Sequence, residues 1–199
     1  VIVSTAISYI LGLPTGVILA ITDKDGICPC KGVNMVLGFI VNMLRSVPFI
    51  ILLVAIMPLT RLLIGSTIGS TATIVPLVIS AFGFVARMVE SSIKEVNFGV
   101  VEAAQSMGTS NFKIITKVLI PESKPSLLLG SAIAITTILG YSAMAGFVGG
   151  GGLGAIAINY GYYRKQSDIM YVMVILMAII VLVFQELGMR ISKHTDRRL

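Results

Sequence analysis

The chain has 199 residues, of which 56% are hydrophobic and 12% charged, with a mean hydropathy of +0.97. Soluble domains hold roughly 25% charged residues, so an ordinary water-soluble enzyme is excluded. The length suits one domain of about five membrane spans and leaves no room for a separate soluble domain. A formal charge of +6 in so apolar a chain speaks to membrane sidedness and not to nucleic acid.

Three long runs, Val1–Thr22, Leu62–Ala86 and Pro125–Tyr163, contain no Asp, Glu, Lys or Arg. At 1.5 Å per residue, a 22-residue helix reaches about 33 Å, enough for a hydrocarbon core of roughly 30 Å. The pattern predicts an all-α membrane protein forming one domain over 1–199, with spans over about 1–22, 33–59, 68–89, 126–148 and 169–186. The first run opens without an initiating Met, which predicts that residues precede Val1. It is too long for a secretory signal and lacks a small-residue cleavage pattern. Arg45 interrupts the second span, and Pro76 lies inside the third. In a bundle, neighbouring helices and Ser or Thr side chains can satisfy backbone groups that proline frees. The fourth span is rich in small residues (Gly130-Ser-Ala-Ile-Ala and Gly140-Tyr-Ser-Ala-Met-Ala-Gly146), a composition that permits close helix packing and is equally compatible with a path lining. Four glycines at 149–152 and the tyrosines near 160–163 predict an outer turn and a short interfacial helix.

Charge then sets the orientation. Lys24 and Lys31 in the first loop, Arg87, Lys94, Lys113, Lys117 and Lys124 around the third, and Arg190, Lys193, Arg197 and Arg198 in the tail fall on one side. Arg61, Arg164 and Lys165 fall on the other. Basic residues favour the cytoplasm, so the first residues face outward, the tail inward, and the connection at 90–124 is cytoplasmic.

That connection is patterned. Asn97 can cap a helix on which Val100, Ala104 and Met107 recur at helical spacing, Gly108 breaks it, and Thr109 or Ser110 can cap a second helix carrying Phe112, Ile115 and Leu119. Pro121 is expected to end that second helix before the chain re-enters the membrane. Periodicity alone leaves two readings open, a hairpin lying on lipid headgroups and a docking site for another protein.

Glu102-Ala-Ala-Gln-Ser-Met-Gly108, followed by Ile120-Pro121, resembles the EAA loop of ABC-importer permeases. Similarity to methionine-importer permeases extends over the whole chain, carried also by Arg45-Ser-Val-Pro-Phe-Ile-Ile-Leu-Leu, Ala86-Arg-Met-Val-Glu90 and Gly140–Gly146. The resemblance implies a five-span type I permease core in a bacterial inner membrane. It implies pairing with a second copy and two ATPase subunits, and an L- or D-methionine supply from a periplasmic binding protein. Related polar amino-acid permeases carry a similar Arg-x-x-Pro element, so another amino acid or small solute stays open. Glu102, Ala103, Ala104, Met107, Gly108 and Pro121 would form the ATPase-coupling element.

Arg45 and Pro48, with Tyr141, Ser142 and Met144, are candidates for a pathway or gate. Each has a plainer reading: Arg45 can snorkel to headgroups, and Met144 is one of ten methionines. Cys28 and Cys30 read as free thiols, Asp23-Lys-Asp-Gly26 as a turn without a calcium-closing Glu, and His194 as solvated. The chain carries no phosphate loop and no nucleophile–base pair, so no cofactor, metal or catalytic role is expected, and ATP with Mg belongs to a partner. A secondary transporter would need intramembrane acids, whereas Glu90, Glu95, Asp168 and Glu186 are expected at span ends. A structural membrane protein would not need the patterned loop.

Overall fold

The computed structural model of the chain describes residues 1–195. Arg197 and Arg198 of the basic tail, and the end of the 1–199 domain, lie outside the described residues. All regular structure among the described residues is helical: α1 Ile2–Thr22, α2 Lys31–Ser46, α3 Phe49–Ala55, α4 Met57–Ile64, α5 Ile74–Lys94, α6 Phe98–Ser106, α7 Asn111–Ile114, α8 Ile120–Met144, α9 Gly152–Ile156 and α10 Ser167–Thr195, with short 3₁₀ and π segments between.

Four helical stretches are long and apolar enough to cross a membrane: Ile2–Thr22, Ile74–Lys94, Asn111–Val148 and Ser167–Thr195. The expected second span, 33–59, is instead a broken one, with α2 and α3 bent by 105°. The break falls at Pro48 and not at Arg45. Proline crowds the residue before it out of the helical region, and Val47 is accordingly extended at φ −84°, ψ 125°. The chain turns again at Ile56, with Pro58 in the first turn of α4, where a missing N–H costs nothing. Residues 68–73, expected in the third span, precede α5. Pro76 therefore stands in the first turn of α5 and introduces no kink.

Pro121 does not end a helix. The stretch 111–148 continues through it, with a π turn over Ile115–Leu119 immediately before. In a regular helix the Pro121 ring would collide with the carbonyl four residues back. The π turn inserts one extra residue per turn, and the Ile120 N–H bonds to the Ile115 carbonyl, five residues back. The wider turn gives the ring room while the helix carries on into the membrane.

The α1–α5 pair forms the centre of the bundle. Gly12 and Gly16, one turn apart on α1, let the backbones meet: a Cβ on Gly16 would lie 2.5 Å from the Ala86 carbonyl oxygen and 2.6 Å from the Val89 Cβ. Packing, not hydrophobicity, drives such contacts in lipid. The small residues stressed in the fourth span are matched by these two on the first. Around them Val17, Ala20, Val85, Val89 and Ile93 are buried in one cluster. By contrast, α10 has no buried residue and leans on α8, where the Ser192 hydroxyl donates to the Pro125 carbonyl at 2.7 Å.

A chain of polar contacts ties α1, α2 and α5 together toward the α5 C-terminus. Glu90, 5% exposed, accepts from Arg87 at 2.5 Å and from Lys94 at 2.8 Å. Lys94 also donates to Asp23, just past α1. Arg87 reaches across to the Asn42 side-chain oxygen of α2, with its Nη2 at 2.9 Å and its Nε at 3.1 Å. The Lys94 hydrogen bond holds the Asp23 carboxyl below its ordinary value of 3.8, with the Lys24 backbone N–H adding to the effect.

Two expectations follow. Gly16→Ala forces the α1 and α5 backbones apart and costs about 1–3 kcal/mol, whereas Gly32→Ala, with open space around it, leaves stability within about 0.5 kcal/mol; denaturation in detergent measures both. Because the Asp23 carboxyl is depressed, the Lys94 pair stabilises the fold fully above its ordinary value and loses that contribution as pH falls through the lowered one. The melting difference between the parent and Asp23→Asn therefore holds constant from pH 7 to about 5 and shrinks below about 4. A difference that grows on acidification would contradict the assignment.

Candidate coupling loop and pathway face

The loop after α5 is built for rigidity. The Asn97 side chain accepts from the Gly99 N–H at 2.8 Å and starts α6. At the other end the Gly108 N–H bonds to Gln105 O at 2.9 Å, and the Thr109 N–H to Ala104 O at 3.2 Å. These two bonds make a Schellman motif, which needs a left-handed residue at Gly108, found at φ +72°. Ser110 then precedes α7 without a side-chain cap bond.

The expected single apolar face over 100, 104 and 107 is divided in two. Val101 and Ala104 are buried with Ile114 and Leu119 in the cluster centred on α1 and α5. Val100, Ala103 and Met107 point outward, as does Phe112, with Met107 78% and Phe112 75% exposed. Val100 and Val101 stand four and three residues before Ala104, so both can share its face, and the bundle lies on the Val101 side. Ala104 anchors the helix, while Glu102, Ala103, Met107 and Gly108 are open to the surroundings and Pro121 is exposed beyond the π turn. A Cβ added at Gly108 would meet nothing within 4 Å. The loop thus presents an apolar stripe beside the exposed Glu102 carboxylate on a buried base.

The pathway candidates gather only partly. Pro48 sets the break, and the next residue, Phe49, stacks on Tyr141 at 4.9 Å between centroids and 8° between planes. Met144 lines an apolar cleft of about 210 Å³ with Ile50, Leu53 and Phe147, so α3 and the end of α8 meet. Ser142 faces elsewhere: it donates to Leu139 O at 2.8 Å and lines a separate cavity of about 310 Å³ with Ser4, Thr73 and Gly150. Arg45 is exposed just before the bend, its stem against Gly83, and is not buried inside a span.

Of the acids expected at span ends, Glu186 lies nine residues before the end of α10, whereas Glu90 keeps near the end of its helix. It stands one turn inside α5, buried and held by two cations, so it offers no free carboxylate for a proton relay. Sequence reading missed it because its partners at three residues before and four after were counted for orientation only; that spacing was the available signal. Elsewhere, Cys28 and Cys30 are free, and Cys28 accepts from the Asn111 amide at 2.9 Å. His194 is exposed on the last turn of α10. The 23–26 stretch is a turn closed by the Gly26 N–H on Asp23 O at 3.0 Å. Gly149 and Gly151 in the turn before α9, and Gly152 at its first position, take positive φ. Among the described residues no group of His, Cys, Asp and Glu is arranged to hold a metal.

Comparison with known proteins places this architecture. Residues 12–199 match the family model described as binding-protein-dependent transport system inner membrane component. The chain is 48% identical over 198 residues to the probable D-methionine transport system permease protein MetI of Vibrio cholerae, covering 100% of this chain and 88% of that protein. It is 43% identical over 196 residues to the corresponding protein of Pasteurella multocida, covering 98% and 90%. Its fold superposes with a TM-score of 0.96, at 42% identity, on a chain of the MetNI methionine ABC transporter in an inward-facing conformation, covering 98% of this chain and 90% of that one. With a family match over nearly the whole length, the chain belongs to the inner-membrane components of binding-protein-dependent transport systems.

Proposed function

We propose that this chain is the permease subunit of an ATP-driven methionine importer. The observation that supports it most directly is the rigidly based α6, its stripe of Val100, Ala103 and Met107 facing outward, on a chain that resembles MetI proteins end to end. Two copies form the pathway, two separate ATPase subunits hold ATP and Mg, and a periplasmic binding protein delivers L- or D-methionine. The first residues face the periplasm and the last helix ends in the cytoplasm, as the distribution of basic residues requires. The domain is a single membrane unit with five crossings, one of them broken at Pro48.

In this reading Glu102, Ala103, Met107 and Gly108 contact the ATPase. Ala104 seats the helix on the bundle, and Pro121 with its π turn directs the return into the membrane. ATP-driven closure of the two ATPases moves α6 and the cytoplasmic end of α5 as one body, because Val101, Ala104, Ile114 and Val89 share a buried cluster. The bend at Pro48, the Phe49–Tyr141 stack and the cleft beside Met144 form a flexible contact between α3 and α8 that opens and closes the path. Arg45, exposed at that bend, lines its approach, while Ser142 faces a separate cavity.

Gly108→Val tests the coupling role. The left-handed backbone alone costs about 1–2 kcal/mol in a residue with a Cβ, so uptake in proteoliposomes carrying the ATPase should fall roughly 5- to 30-fold. Gly108→Asn, which tolerates that conformation, should fall less. Retention of both uptake and coupled hydrolysis in Gly108→Val would refute the role. Radiolabelled methionine uptake into cells lacking their own importer, undiminished by excess glutamine or histidine, tests the substrate. Equal competition by either would assign a different amino acid.

A further inference from the structure

The polar chain from Asp23 to Asn42 joins two regions that the apolar packing leaves separate. One is the base of the coupling loop, where Val89, Ile93 and Val96 of the α5 end pack with Val101 and Ala104 of α6. The other is α2, which carries the bend at Pro48. The cluster beneath the loop contains no residue of α2. The apolar contact of α2 with its neighbours rests on Val41, buried with Leu19 of α1 and Ala86 of α5. Gly83 of α5 also lets Val41 O and Leu44 of α2 approach closely, so that an added Cβ would meet them at 3.2 and 3.3 Å, but dispersion itself has no preferred direction. Toward α1 the Asn34 amide of α2 donates to Leu19 O at 2.8 Å and to Thr22 Oγ1 at 3.2 Å; toward α5 the directional contact is Arg87 to Asn42, made by two nitrogens on one oxygen.

Arg87 is aimed by Glu90, which its Nη1 contacts at 2.5 Å, and Glu90 is in turn held by Lys94. The buried carboxylate thus leaves the Arg87 Nε and Nη2 to face α2. Arg87 lies seven residues before Lys94, or about 10 Å along the axis, so the link acts at depth rather than at the loop itself.

We infer that Asn42, Arg87 and Glu90 form a mechanical link that makes α2 follow the coupling loop, with Glu90 the positioning residue and Asn42 the point of attachment. This rests on the importer reading above. When the ATPases draw α6 and the end of α5 together, Arg87 carries α2 with them and the bend at Pro48 absorbs the remainder. Severing the link lets α5 and α6 move while α2 lags, so ATP is hydrolysed without opening the path.

Asn42 is the place to cut, because it is exposed on α2, and its loss leaves the Glu90 pairs intact. Asn42→Ala removes the acceptor, while Asn42→Asp keeps it and strengthens it with charge. The complex of the full chain with its ATPase is prepared with Cys28→Ser and Cys30→Ser, and a nitroxide is placed at Met35→Cys on the exposed side of α2. Distances between the labels of the two protomers are recorded with and without ATP, beside hydrolysis and methionine uptake. The parent should change its label separation on ATP binding. Asn42→Ala should hydrolyse ATP within about twofold of the parent yet lose that change, with uptake per ATP down about tenfold, a typical coupling between sites. Asn42→Asp should restore both.

An ATP-dependent separation in Asn42→Ala equal to the parent's would overturn the link. So would a parallel fall in hydrolysis and uptake, since that is what a merely structural residue produces. The label measurement needs no substrate, so a failure of methionine uptake in the parent would count against the substrate and leave the link judged by distance.

Discussion

Inside a hydrocarbon layer no water is present to satisfy a bare N–H or C=O, so the backbone must complete its hydrogen bonds within the protein. The chain nevertheless places six prolines in or beside its helices, at positions 14, 48, 58, 76, 121 and 125. Much of the shape is the set of ways this conflict is settled. Pro58 and Pro76 sit in first turns, where no N–H partner exists to lose. Pro121 is accommodated by a π turn that keeps the helix continuous. Pro48 alone breaks the chain, and there the direction changes by 105°.

The two outcomes suit different mechanical duties. Continuity through Pro121 makes α7, the π turn and α8 one connected element over 111–148. A break at Pro48 does the opposite, separating α3 from α2 so that each can take its own direction. Between these lies α1–α5, brought to backbone contact by Gly12 and Gly16 and therefore unable to shear without collision. A stiff centre, a continuous arm and a hinged arm are the parts an alternating-access path needs.

Sequence was most informative where one kind of residue carries one meaning. Asn97 and Gly108 marked the ends of α6 through capping chemistry that is local. It was least informative where the outcome depends on three-dimensional neighbours. Val100 and Val101 are the same amino acid in adjacent positions, and only the direction of the bundle decides which is buried. Arg45 drew attention as the charge within a predicted span, yet the break was encoded three residues later in Pro48. Pro121 was read as a stop because a proline forbids a regular helix; that a π turn could carry the helix past it is a property of the preceding turn and its packing.

Glu90 marks the deepest of these gaps. By count it is one of nine acids among fifteen bases, and nothing in composition separates it from Glu95, which is exposed five residues later. What separates them is that Glu90 has Arg87 and Lys94 on its own helix face, at spacings that let both reach it, and a close-packed α1 that removes water. Taking a carboxylate out of water costs several kcal/mol before any pairing; two cations turn Glu90 into a fixed point from which Arg87 is aimed at another helix. The same class of residue that gives the chain its excess charge is thus used inside the bundle, where Arg87 adds a directional contact between α5 and α2.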